Sequence, residues 1–290
     1  MPTMKLIFSG IFVSAALMAQ TVAVAASDMA NISMADKPVR IIRGTAVYKA
    51  NIGVLVQKYD IVETDAAGAQ LEVSPELIMA LGPETRLYLS SIDSSSRTDL
   101  VLLQGWIKVM SKGKSAVTII TSPVIRVTVN GGSSIVYSTA DKGEMFAEEA
   151  TQIVNGMDDH GKPGADVKIS HDQFAIGSQG QDLKMQPRPT KEFLAEMPVS
   201  FRDRIIPAVD RMKGARLSAS KEREVDFSDV DAWLSSNLAV KKSFVSRFLP
   251  RIKDVNFRKQ LDEKLGQSAE WKMILHPPPP PPKEQAKQKS

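Results

Sequence analysis

Two of the chain's three histidines, His160 and His171, stand among acids; the third, His276, stands apart. Asp158-Asp159-His160, Asp166 and His171-Asp172 together offer carboxylate oxygens and imidazole nitrogens, a donor set suited to a divalent cation. Their spacing fits no established ligand pattern, and Gly161, Pro163 and Gly164 among them are ordinary turn composition. The stretch is therefore expected to be a loop that holds no metal. The absence of cysteine excludes thiolate zinc sites, cysteine nucleophiles and disulfides together. No serine elbow with a histidine and an aspartate in triad order is present, nor a glycine-rich phosphate loop, nor Gly-x-Gly-x-x-Gly. With 33 acids in the chain, no carboxylate pair can be singled out without geometry. The expectation is a protein that is not an enzyme, with no catalytic, cofactor-binding or metal-binding residue and no cofactor.

Binding chemistry is more visible. Lys plus Arg is 37 against 33 Asp plus Glu, and 21 of the basic residues but only 14 of the acids lie from Gln186 onward. Arg202, Arg204, Arg247, Arg251 and Arg258 could engage a polyanion, a membrane surface or a wall polymer. Interspersed signs along helices are more often a solvated face, and nothing in the pattern calls for nucleic acid. Phe244, Phe248, Phe257 and Trp271 could line a cleft, but their helical spacing reads as core.

The elements that must position these residues begin after an N-terminal leader. Lys5, the apolar run from Leu6 to Ala19 and the small residues Val22 to Ala26 have the layout of a signal peptide, residues 1–25. Ala23-Val24-Ala25 supplies an A-x-A site, so cleavage is expected after Ala25, with Ala26 the second choice. No later segment is apolar enough to span a bilayer, and the periplasm is the expected location.

Residues 37–177 read as an all-β domain. Strand-like runs lie at Val39–Tyr48, Gly53–Val56, Ile61–Thr64, Gln70–Val73, Leu77–Leu81, Arg86–Ser90 and Leu100–Met110. Others follow at Ala116–Thr121, Val124–Val129, Ser134–Ser138, Gly143–Phe146, Thr151–Val154 and Val167–Ile176. Asp65 to Gly68, Leu81 to Glu84, Lys112 to Lys114 and Asn130 to Gly132 supply the turn residues between them. Alternation in Val124-Ile125-Arg126-Val127-Thr128-Val129 predicts sheets with one face buried and one wet.

The order Arg43-Gly44-Thr45-Ala46-Val47, Asp60-Ile61-Val62-Glu63-Thr64 and Gly68-Ala69-Gln70-Leu71 resembles the opening of a FecR-like domain. Leu81-Gly82-Pro83-Glu84-Thr85-Arg86-Leu87, Leu103-Gln104-Gly105-Trp106-Ile107-Lys108-Val109, Thr121-Ser122-Pro123 and Gly131-Gly132-Ser133 continue it, over about 100 residues. Lys58-Tyr59-Asp60 stands where that family usually has Gly-Asp. The resemblance implies a periplasmic domain of short strands, stacked like a solenoid or a sandwich, that works by contact. It also implies a relay from an outer-membrane receptor to a sigma factor through a membrane span, a span not expected here.

Gln186-Pro187-Arg188-Pro189 closes a linker, residues 178–190, and a basic helical module, residues 191–276, follows. Phe201–Met212, Asp229–Leu238, Lys241–Ile252 and Asn256–Leu265 carry apolar residues at helical spacing, which predicts a small bundle. A proline-rich tail, residues 277–290, is expected to be disordered. The fold class expected is thus α+β, with an all-β domain followed by a helical bundle. The function expected is binding of an unidentified protein or other component of the cell envelope. The alternative is a regulatory sensor acting through a separate transmembrane partner.

Overall fold

The computed structural model describes residues 29–93, 95–112, 116–208 and 217–278. The leader and nearly all of the tail lie outside them. The first nine strands are β1 (Met29–Ala35), β2 (Val39–Arg43), β3 (Ala46–Ala50), β4 (Leu55–Gln57), β5 (Ile61–Glu63), β6 (Ala69–Ser74), β7 (Leu77–Leu81), β8 (Arg86–Ser91) and β9 (Arg97–Ser111). The other nine are β10 (Val117–Thr121), β11 (Ile125–Val129), β12 (Gly132–Ser138), β13 (Lys142–Ala147), β14 (Gln152–Gly156), β15 (Val167–Ile169), β16 (Phe174–Ser178), β17 (Lys184–Gln186) and β18 (Ser220–Glu224). All eighteen belong to one curled sheet, antiparallel except where β10 runs parallel to β9.

β9 folds the sheet on itself. Its N-terminal part pairs with β8 and β10, and its C-terminal part with β7 and β12. Between the two parts lies Gly105, whose φ of 94° suits only a residue without Cβ. One half-sheet then runs β4-β1-β6-β7-β9-β12-β13-β16-β17, and the other β18-β3-β2-β5-β8-β9-β10-β11-β14-β15.

Period-two alternation sorts the side chains among three cores. Ile107, Val109, Leu77, Met79, Val136 and Met145 from one half meet Leu87, Leu89, Leu100, Leu102, Ile125 and Val127 from the other. The residues between them point outward, yet they are buried as well. On the first half, Trp106, Ile135 and Phe174 are covered by Phe193, Met197 and Phe201. On the second, Ile42, Val47, Ile61, Tyr88, Val101 and Leu103 are covered by Trp233, Phe244, Phe248, Phe257 and Trp271.

The α+β expectation is corrected here. The chain is mostly β, 43% strand and 19% helix, with only a few short helices toward its C-terminus. These are α1 (Lys191–Glu196), α2 (Phe227–Ser235), α3 (Lys241–Phe248), α4 (Val255–Leu265) and α5 (Lys272–Leu275). They do not close a bundle core of their own, because α2 to α5 share theirs with the outer face of the sheet. β18, from the same C-terminal stretch, is itself a strand of that sheet, paired with β3. The strands likewise form one curled sheet rather than a solenoid stack, and later parts of the chain cover part of each outer face.

The helix expected from Phe201 is not formed either. Val199–Phe201 is a single 3-10 turn, and Arg204 to Ala208 has no regular structure; residues 209–212 lie outside the described residues. Phe193, Met197, Phe201 and Ile205 are four apart because they plug successive positions on a sheet face, and Pro198 and Pro207 interrupt any helix between them.

Candidate binding surface

The acid and histidine cluster is structural in the loop that holds it. The Asp158 carboxylate accepts from the backbone N–H groups of His160 and Lys162, which holds its pKa below the usual carboxylate value. Asp166 accepts from the Asn155 amide at 2.7 Å, and His171 faces Asp172 at 3.4 Å. Among the described residues, no group of three or more such side chains could hold a metal ion.

The five arginines divide. Arg247 spends its guanidinium on three backbone carbonyls, those of Gly44, Tyr59 and Ile42, at 2.7–2.8 Å. It also lies over the rings of Phe244 and Phe248 and thereby clamps α3 onto the sheet. Burial among apolar groups lowers its pKa. One carbonyl in that clamp belongs to Tyr59, a non-glycine residue with φ 73°. Arg251 donates to the Val225 carbonyl and to Asp254, and Arg258 reaches the Leu275 carbonyl. Arg202 and Arg204 are exposed and make no hydrogen bond or ion pair within the described residues. Phe244, Phe248, Phe257 and Trp271 are buried core side chains, each 0–2% exposed.

Another buried ionic group ties α2 to the sheet. Asp229 accepts from both Arg223 Nη atoms at 2.6 and 2.9 Å, from Arg40 at 3.0 Å and from the Asp226 N–H. Burial pushes its pKa up, but these donors outweigh burial and leave it below the usual value. A carboxylate with a depressed native pKa stabilises the fold above its unfolded pKa, and that stability is lost as pH falls through the folded value. Glu63, which shares Arg40, is shifted the other way by burial and titrates in the opposite sense. Asp229→Asn should therefore lower the unfolding free energy by about 1–2 kcal/mol near pH 7. The gap between the two chains should close as the pH falls below about 4. Urea titrations at several pH values test this, and a gap that stays constant to pH 2 would refute it.

Sequence reasoning missed the residues that hold the strap, residues 190–208, on its sheet face. Thr190 caps α1 by accepting from Phe193 N–H at 3.1 Å. Lys108, 3% exposed, donates to Glu148 at 2.9 Å and to the carbonyls of Phe201 and Asp203 at 2.7 and 2.9 Å. Ser133 donates to the other Glu148 oxygen. Further along, Gln70 donates to the Ile206 carbonyl, and Glu72 accepts from Ala208 N–H.

The strap leaves two recesses beside it. One, about 330 Å³, is polar and includes Lys108, Glu148, Glu149, Asp172, Arg202 and Arg204. The other, about 290 Å³, has a floor of Ala69, Ala80, Leu81 and Ile205, with Met34, Ile206 and Arg204 at its rim. Arg204 lies between them. Met34 and Ile206, 54% and 63% exposed, flank the apolar one.

No protein-family model matches the sequence, and no curated protein does. Two crystal structures of a candidate anti-sigma factor from Parabacteroides distasonis align with the chain at 10% identity. Their TM-scores are 0.38 and 0.39, over 59% and 60% of this chain and 88% and 89% of theirs. The surface is therefore read from its own geometry. An apolar floor, exposed Met34 and Ile206 at the rim and the unspent Arg204 guanidinium can hold an apolar side chain and an adjacent acceptor.

Proposed function

We propose that this chain is an exported, non-catalytic protein of the cell envelope that acts by binding another envelope component through the surface beside the strap. The observation that carries the reading is how the polar side chains are spent. Lys108, Asp229, Arg247 and Asp158 are committed to holding the chain's own elements together, whereas Arg204, beside the open apolar recess, and Arg202, beside the polar one, make no hydrogen bond or ion pair within the described residues. The leader-like N-terminus supports export, and the ordered FecR-like motifs support action by contact.

A photo-crosslinking residue in place of Ile206, with Val255 as an exposed control on α4, tests this in fractionated cells. One envelope component captured at Ile206 and not at Val255 is the expected result. Equal capture at both positions, or none at Ile206, would count against the surface. Capture of a membrane-spanning regulator would favour the sensor alternative.

A further inference from the structure

Edge strands of a sheet offer unpaired backbone donors and acceptors, and proteins that stay monomeric blunt them. Four strands end the two half-sheets, and three are blunted. Beside β4, Leu217 bridges to Val54 and exchanges backbone hydrogen bonds with Gly53 and Leu55. β18 is irregular between Lys221 and Arg223. A two-fold pairing of β18 about its middle residue sets Glu222 against Glu222 and Lys221 against Arg223. The same operation on β15 sets Lys168 against Lys168. Like charges directly opposite destabilise a pair of strands.

β17 differs. Its described pairing is with β16 alone, in the register Ala175 to Met185. Ala175 faces the inner core, so Met185 is on the core-side face of the sheet, yet it is 49% exposed. Residues directly opposite one another must share a face, a condition met by a two-fold pairing about any one residue. Centring on Lys184 would set Lys184 against Lys184, and centring on Gln186 would set Lys184 against Arg188, so like charge leaves Met185 as the centre. About Met185, that register sets Met185 against Met185, Lys184 against Gln186, Leu183 against Pro187 and Asp182 against Arg188 of the second copy. No like charges meet. Asp182 and Arg188 are exposed, and neither has an ion pair or hydrogen bond within the described residues, so each copy brings two complementary charges to the ends of the ladder.

We infer that β17 is a self-association edge along which two copies of this chain pair antiparallel about Met185. The contact is isologous and closes as a dimer, so it does not propagate into a fibre. A three-residue ladder makes a weak and reversible dimer, smaller than the interfaces of stable complexes. Nothing in it depends on the recess beside the strap, so this pairing and the binding function stand or fall separately.

Sedimentation equilibrium of the purified protein over a wide concentration range tests the pairing. The wild type should show a monomer–dimer equilibrium. Arg188→Asp and Asp182→Arg each turn two attractions into two repulsions and should raise the dimer dissociation constant about tenfold. An equimolar mixture of the two single variants restores both opposite-charge contacts, and so does the double variant; both should return to the wild-type constant. Because the two side chains are exposed and make no internal bond, the variants leave the fold intact. A protein that stays monomeric throughout, a dimer indifferent to both variants, or a loss that mixing does not rescue would overturn the inference.

Discussion

Gly105→Ala should cost about 3 kcal/mol of stability, whereas Gly44→Ala should cost only about 1. Both glycines have positive φ, 94° and 58°, so an alanine at either position carries the steric penalty of the left-handed region, about 1–2 kcal/mol. The surroundings separate them. A Cβ on Gly44 would meet nothing within 4 Å, because the residue sits in the two-residue turn between β2 and β3. On Gly105 it would come to 2.5 Å from both the Thr85 Cα and the Thr85 Oγ1. Thr85 cannot move aside cheaply, because its hydroxyl donates to the Gly82 carbonyl at 2.9 Å and accepts from Trp106 N–H at 3.0 Å. The clash would spread to the point where β9 passes from one half-sheet to the other. Denaturant unfolding of the two variants reads the difference directly. Equal losses would mean that the left-handed backbone alone explains Gly105, and that the close approach of Thr85 contributes nothing.

Much of the sheet was legible because alternation and turns are local. Leu77–Leu81 is a strand with the expected bounds, and Val124–Val129 and Arg86–Ser90 are within a residue of theirs. Turn chemistry was read less well: Val39–Tyr48 looked like one strand, but Gly44 and Thr45 break it into a hairpin. β18 was invisible, since Ser220 to Glu224 has no apolar residue and joins the sheet only because β3 lies beside it. β1 escaped for a similar reason, its small and mixed residues showing neither period strongly.

The surface was harder to read, because its determinants are distant in sequence. Alternation puts Lys108 on the same face as Trp106 and Met110, opposite Ile107 and Val109, which the sequence reads as a lysine facing water. Only a strap more than ninety residues further along makes that face an interior. Arg247 reads as a solvated helix charge for the same reason, its three carbonyl acceptors lying about 190 to 205 residues earlier.

Lys108→Met is expected to destabilise the protein by about 2–4 kcal/mol and to loosen the strap more than the sheet. Methionine keeps most of the length and the apolar contacts of the lysine stem, so the loss comes from the ammonium group. Its three donors go to Glu148 and to the carbonyls of Phe201 and Asp203, with the side chain only 4% exposed. Removing it leaves two carbonyls without that donor and a carboxylate held by Ser133 alone. Breaking a buried ion pair costs about 3–5 kcal/mol, and the 21% exposure of Glu148 lets water recover part of it. Hydrogen exchange should then quicken at least tenfold between residues 199 and 208, while β7 and β12, which pair with β9 through backbone bonds, keep their protection. Adding Glu148→Gln removes the orphaned charge, so the double variant should regain part of the stability lost by the single one. If the double variant is instead as unstable as the sum of both single changes, the two side chains act independently. The ammonium then holds the strap through the Phe201 and Asp203 carbonyls rather than through its pairing with Glu148.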